Sequence, residues 1–191
     1  MSQDIDFDLL RSIEDRASWL SVYQVHWANN KPENIGKKPK VGGHQASVTS
    51  SSTILSALYL AIKRPQDRIA VKPHAAPFLY SLMHLMGRVD QEQLANLREF
   101  RGLQPYPTQH SNPDFVDYST SIEGLGVAAT IEDAYVADVQ RDQLGLDIDA
   151  RYHAHCGDGE LTERQMGGSL HEAGRRRLGA VTWWVDVNRQ T

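Results

Sequence analysis

A strand-sized segment, a helix-sized segment and a second strand-sized segment follow one another from Arg151 to Val187, and few folds accept that succession. Arg151–Cys156 and Ala180–Val187 are rich in aromatic and β-branched residues, the composition of strands. Residues 161–178 cover about 27 Å if helical, at ~1.5 Å per residue. The eight residues 180–187 return about 26 Å at ~3.3 Å per residue. Because the two lengths cancel, a crossover of this size brings Asn188 back to the sheet edge that the chain left at Asp158, thirty positions earlier. That edge is the carboxyl edge, where open α/β sheets bind ligands. The expected fold class is therefore α/β, an open parallel sheet flanked by helices.

The residues brought to that edge carry chemistry. Asp158, within Gly157–Glu160, offers a carboxylate and Asn188 an amide oxygen. This sparse hard-oxygen set suits Mg²⁺, which takes one or two carboxylates and completes its octahedron with phosphate oxygens and water. Gly157 and Gly159 let backbone approach a phosphate closely. Gly-Asp-Gly is equally a common turn sequence, and Asn is ordinary punctuation at a strand end. On spacing alone, metal site and plain turn both remain open.

Composition narrows the classes. A chain of 191 residues with 40% hydrophobic content can build one domain with a core, and no linker composition divides it. A formal net charge of −4 and a pI near 6.0 give no basic footprint for nucleic acid. No apolar run approaches the ~20 residues of a membrane span. The N-terminus Met1–Asp6 is too acidic and polar for a signal peptide, and Cys156, the single cysteine, excludes an internal disulfide framework. A cytoplasmic protein is expected, with Cys156 buried in its strand.

Upstream, helices and strands alternate. Leu9, Leu10, Ile13, Ala17 and Leu20 have helical spacing and predict an amphipathic helix from about Asp6 to Trp27. Lys31–Lys40 reads as a loop whose lysines form a solvated face. After Gly42 and Gly43 a second helix is expected through Ser51, Leu55, Leu58 and Ile62, stopping before Pro65. Arg68–Lys72 is a strand candidate, followed by a helix through Phe78, Leu82, Leu85 and Met86 that ends at Gly87. Asp90–Phe100 predicts a helix with Asp90 as cap and Gln93 at the capping-box position. Residues 101–121 form a long polar loop containing Tyr106 and His110, of a length usually kept for function. Gly124–Gly126 then opens a helix to about Arg141.

Two histidines stand where loops meet helices. His44 and His74 each suit an imidazole that donates to an anion or moves a proton, or equally a surface or capping histidine. His153 and His155 alternate on one strand face, but with Cys156 they lack the second ligand pair of a tetrahedral zinc site. His84, in an apolar helix, is expected to be a satisfied core residue.

The succession of Gly42–Ser47, Lys72–Ala75, Gly87 and Arg88 with Gln91–Leu94, Tyr106 and Pro107, Gly124–Gly126, and Gly157–Glu160 through to Asn188–Gln190 resembles the thiamine-diphosphate enzymes of the transketolase superfamily. It is similar in particular to the homodimeric pyruvate dehydrogenase decarboxylating component. The His74 segment is also shared with transketolases, whereas the form of residues 42–47 is more similar to the pyruvate dehydrogenase branch. The resemblance runs from about residue 40 to the end. It implies a truncated diphosphate-binding domain over 41–191, after the N-terminal helix and basic loop of 1–40.

That resemblance implies roles. Asp158, Asn188 and the Gln190 main-chain carbonyl would hold Mg²⁺ against the diphosphate of thiamine diphosphate. Gly157, Gly159 and Glu160 would lie along the diphosphate by their backbone, with the turn of Gly124, Leu125 and Gly126 approaching the cofactor. His44, His74 and Tyr106 would orient a 2-oxo acid substrate and assist proton movement, and the acyl product would pass to a lipoyl acyltransferase. The pattern departs at Pro73, where the family usually has Gly, and at Val127, where the similar branch has Pro. The chain stops one residue past Gln190, so the pyrimidine-binding domain that supplies the activating glutamate is expected from a missing domain or second subunit, within a homodimeric enzyme. The isolated chain is expected not to turn over. Transketolase-type ketol transfer and a non-catalytic binding module are the alternatives.

Overall fold

The computed structural model describes residues 5–188. The chain forms two compact units, one of Met1–Ile62 with His74–Pro105 and one of Lys63–Pro73 with Tyr106–Thr191.

The first unit is helical. Helix α1 (Phe7–Asn30) starts at Asp6, whose carboxylate accepts the Leu9 N–H at 2.9 Å. It buries Ala17, Ser21, Gln24, Val25 and Ala28, a face of mostly small residues that admits a close neighbour. That neighbour is α4 (Ala76–Leu85), where Gln24 Nε2 donates to Pro77 O at 3.0 Å and to Ser81 Oγ at 2.6 Å. Phe78, Leu79, Tyr80 and Leu82 of α4 are wholly buried, each contributing about 1.5–3 kcal/mol for an aliphatic or aromatic side chain of this size. Gly42 is required by packing: a Cβ there would lie 2.6 Å from Val25 O.

The single helix expected after Gly43 is divided. Helix α2 (Gln45–Thr49) and helix α3 (Ser52–Ala57) are separated at Ser50 and Ser51, and a π-helical turn over Leu58–Ile62 follows. Thr49 Oγ1 donates to Gln45 O and Ala46 O, and Ser50 Oγ donates to Ser47 O, so hydroxyls compete for the carbonyls that a continuous ladder uses. Helix α5 (Gln91–Ala95) has the expected Asp90–Gln93 capping box but ends well before Phe100. Beyond it the chain doubles back, with Arg98 at φ 63° and Leu103 N donating to Asn96 O at 3.1 Å. His84 is half-buried and donates from Nδ1 to Val89 O at 2.7 Å.

The second unit carries the sheet. Among the described residues it has three strands, β1 (Arg68–Ala70), β2 (Tyr152–Gly157) and β3 (Val181–Asp186), in the order β1-β2-β3 and all parallel. Strand β1 is shorter than the expected Arg68–Lys72. Helix α6 (Leu125–Leu144) places Val127, Ile131, Ala134 and Ala137 against Tyr152, Ala154 and Cys156 of β2. Those three alternate along the strand and so share one face, which Met166 of helix α7 (Arg164–Arg176) also covers. His153 and His155 take the other face. Helix α7 is the crossover from β2 to β3, preceded by a 3₁₀ turn over Gly159–Thr162. The fold class expected from the sequence is the one observed.

Candidate functional site

Parallel register fixes what meets at the carboxyl edge of the sheet. Gly157 pairs with Asp186, and Asp158 N donates to Asp186 O at 3.0 Å. The crossover therefore returns the chain to the edge it left, with Asp158 leaving β2 and Asn188 lying two residues past the end of β3. Asp158 is half-exposed, and its carboxylate accepts the Gly159 N–H at 3.1 Å. Gln190 lies outside the described residues.

Glu160 contributes its side chain to this edge, besides the backbone that the sequence singled out. Its side chain is buried: Oε2 accepts the Gly124 N–H at 2.8 Å and Oε1 accepts the Gly157 N–H at 3.0 Å. One carboxylate thus staples the two glycine turns together. Burial pushes its pKa up, against the pull of the two backbone N–H groups.

The glycines at these turns have distinct reasons. Gly124, the N-cap of α6, has φ 79°, a left-handed backbone that favours glycine. Gly126 is held by space, since a Cβ would lie 2.7 Å from Thr120 Cγ2 and 3.2 Å from Ala70 Cβ. Gly157 is unlike both. Lys72 Cδ at 3.8 Å and Glu160 Oε1 at 3.9 Å stop at ordinary contact from the place of its Cβ. Leu125 is exposed.

Two charged residues at the same edge form a pair that no sequence motif announces. Lys72, just past β1, forms a buried ion pair with Asp186 at the end of β3. Between them on β2, His155 Nδ1 accepts the Lys72 backbone N–H at 3.3 Å, so the ring proton sits on Nε2. That Nε2 is buried with no hydrogen-bond partner among the described residues. Burial, reinforced by the Lys72 ammonium and opposed by Asp186, lowers the His155 pKa to about 3 and keeps the ring neutral. His153 accepts the Trp184 Nε1–H at 3.2 Å and is also lowered, chiefly by burial. Cys156 is fully buried and pushed up to about 12 by burial, the inert thiol of a core residue. The signal that could have found the ion pair was present, since Lys72 follows the apolar run Ile69–Val71 and Asp186 ends the largely apolar strand β3.

Tyr106, the other candidate in this unit, is half-buried at the start of the long loop. That loop is tied to β1 by Thr120, whose hydroxyl donates to Val71 O at 2.7 Å and whose N–H donates to Pro107 O at 3.1 Å. His44 and His74 belong to the first unit and are both exposed, His44 at the N-cap of α2 and His74 in the 3₁₀ turn Pro73–Ala75.

The donor chemistry decides which groups this edge can hold. Among the described residues no three His, Cys, Asp or Glu side chains gather as metal ligands, so no all-protein cage is built. A carboxylate with an amide suits a hard cation that arrives with oxygens of its own, and the phosphate groups of a cofactor supply them. The residues present fit Mg²⁺ bound together with a diphosphate.

No protein-family model matches the chain. Solved structures share its fold: a transketolase variant from Pichia stipitis superposes with a TM-score of 0.79 at 20% identity, over 95% of this chain and 27% of that one. Transketolase from Leishmania mexicana gives 0.73 at 20% identity, over 92% and 27%. The fold is thus transketolase-like. Curated relatives named pyruvate dehydrogenase E1 component match 97% of this chain, at 30% identity in Cupriavidus necator and 28% in Escherichia coli K12. The chain is therefore similar, as a segment with a transketolase-like fold, to the pyruvate dehydrogenase E1 components. It spans about a fifth of the length of those relatives, 21% in both cases. No helix among the described residues is long and apolar enough to cross a membrane.

Proposed function

We propose that the chain is the diphosphate-binding segment of a thiamine-diphosphate-dependent 2-oxo acid dehydrogenase, with pyruvate as the substrate its named relatives suggest. The observation that carries this reading is the crossover that brings Asn188 back to the edge of Asp158, beside a glycine turn stapled there by Glu160.

In this reading Asp158, Asn188 and the Gln190 carbonyl hold Mg²⁺ by hard oxygens, and Gly157, Gly159 and the Gly124–Gly126 turn keep the backbone low beside the diphosphate. Glu160 fixes the two turns from below. Bound thiamine diphosphate supplies the carbon nucleophile and electron sink that decarboxylation of a 2-oxo acid needs. His44, His74 and Tyr106 are assigned, on the resemblance, to orienting substrate and moving protons. Turnover in this reading requires a pyrimidine-binding domain, and transfer of the acyl group calls for a lipoyl-bearing partner.

Calorimetry with thiamine diphosphate and Mg²⁺ tests the binding role. Metal-dependent binding is expected, and Asp158→Ala is expected to weaken it at least about tenfold, the loss of an interaction worth about 1.4 kcal/mol. Absence of metal-dependent binding even with a pyrimidine-binding domain added would sink the proposal. Ketol transfer remains the second reading, favoured by the transketolase fold. Assays of the reconstituted protein with pyruvate and with a ketose donor decide between them.

A further inference from the structure

Among the described residues strand β3 has a neighbour on one side only, so its C-terminal end is located by what joins it to β2 and β1. Backbone supplies one tie, the Asp158 N–H donated to Asp186 O at 3.0 Å. Side chains supply another, the buried ion pair of Asp186 with Lys72. Asn188 follows two residues later. Its place relative to Asp158 is inherited from these ties.

Lys72 reaches Asp186 by lying across the middle strand. Neighbouring strands stand about 4.8 Å apart, so β1 and β3, with β2 between them, are separated by about 10 Å. On the way Lys72 Cδ passes 3.8 Å from where a Gly157 Cβ would stand. Its backbone is fixed as well. The β1 ladder ends where Ala70 pairs with Ala154, and two residues on His155 Nδ1 accepts the Lys72 N–H at 3.3 Å. Lys72 is thus tied to β2 by its backbone and to β3 by its ammonium, and the two ionic side chains are only 3% and 6% exposed. One side chain spans all three strands at the edge where Asp158 and Asn188 leave the sheet.

We propose that Lys72, acting through Asp186, is a positioning residue for the divalent cation, one that sets the separation of the Asp158 and Asn188 oxygens. The inference rests on the reading of those two residues as ligands of Mg²⁺ bound together with a diphosphate. Mg²⁺ demands a near-ideal octahedron with oxygens at about 2.0–2.1 Å, whereas Ca²⁺ accepts about 2.3–2.6 Å and irregular sets of about six to eight. An end of β3 that is free to shift by a few tenths of an ångström, roughly the difference between those distances, therefore costs Mg²⁺ more than Ca²⁺. The ammonium has a second effect. It neutralises a carboxylate two residues from Asn188, which keeps Asp186 from offering the cation a competing oxygen or repelling the diphosphate.

Calorimetry of the whole chain with thiamine diphosphate, titrated separately with Mg²⁺ and with Ca²⁺, tests the proposal, with urea unfolding of each variant. Lys72→Met is expected to weaken Mg²⁺ binding by about 10–100-fold, the usual cost of losing a group that orients a metal ligand. Ca²⁺ binding is expected to weaken less, so the preference for Mg²⁺ falls. Lys72→Met with Asp186→Leu replaces the pair by apolar groups of similar volume and is expected to regain the wild-type urea midpoint, while its preference for Mg²⁺ stays lowered. That divergence separates positioning from stability. Hydrogen exchange at the Asp158 amide, read without cofactor, is expected to quicken in both variants. Equal losses for the two cations in Lys72→Met, or a double variant with wild-type preference, overturn the proposal and leave the cofactor reading standing. An Asp158 amide that exchanges at the wild-type rate in Lys72→Met overturns it as well. A wild-type chain that binds neither cation with thiamine diphosphate, even with a pyrimidine-binding domain added, overturns the cofactor reading and this proposal with it.

Discussion

Glu160 shows how much one side chain can organise at this edge. Its two carboxylate oxygens each satisfy a buried N–H of a different turn, and alanine would leave both donors without an acceptor. An unsatisfied buried group costs about 1–3 kcal/mol, so Glu160→Ala is expected to lower the unfolding free energy by about 2–4 kcal/mol in urea titrations. Hydrogen exchange should accelerate at the Gly124 and Gly157 amides in particular. Glu160→Gln, which has one oxygen to offer, should deprotect one of the two more than the other. His155 makes a pH prediction at the same scale. Its folded pKa is depressed to about 3 from the ordinary 6.5, so the unfolded chain takes up a proton that the folded chain refuses. Stability is therefore full above about pH 6.5 and falls as pH drops toward about 3, by up to about 1.4 kcal/mol per unit. Urea midpoints measured from about pH 7 to about pH 4 should fall less steeply in His155→Gln than in the wild type.

At the scale of elements, the start of α6 is pressed against β1 through Gly126. The Cβ that alanine adds would meet Thr120 Cγ2 at 2.7 Å. Alanine improves helix propensity by about 1 kcal/mol, but overpacking costs typically about 1–3 kcal/mol, and the second effect is expected to win because Thr120 is fixed by its bond to Val71 O. Gly126→Ala should lower the melting temperature. Adding Thr120→Ser, which deletes the colliding methyl and keeps the hydroxyl, should restore part of the loss. The crossover of α7 between β2 and β3 was legible because strand and helix lengths must cancel for the chain to return. Helix α1 was legible from the helical spacing of Leu9, Leu10, Ile13, Ala17 and Leu20, but the face it buries is another one, sharing only Ala17 with that set and leaving Leu9 exposed. The division between α2 and α3 was not, because apolar spacing from Leu55 to Ile62 records which side faces the core and is silent about the hydroxyls of Thr49 and Ser50. The early end of α5 at Ala95 depends on the pairing of Asn96 with Leu103, which no local pattern announces.

At the scale of the whole molecule, the sequence conveyed where certain residues stand. The return of Asn188 to the edge of Asp158 was legible because a crossover has a length, and the turn at Gly124 because a helix opening on glycine is a local signal. The backbone role expected for Glu160 did not anticipate its side-chain staple, since the partner Gly124 lies thirty-six positions away. The pairing of Lys72 with Asp186 was illegible for the same reason, its members being separated by 114 positions and joined only by the sheet. Their ion pair also constrains how such a chain can change through descent. Replacing one member takes from the other its buried counter-charge across the sheet, whereas exchanging both for apolar groups of similar volume is often neutral. The two positions are therefore expected to change together in descent, as one character.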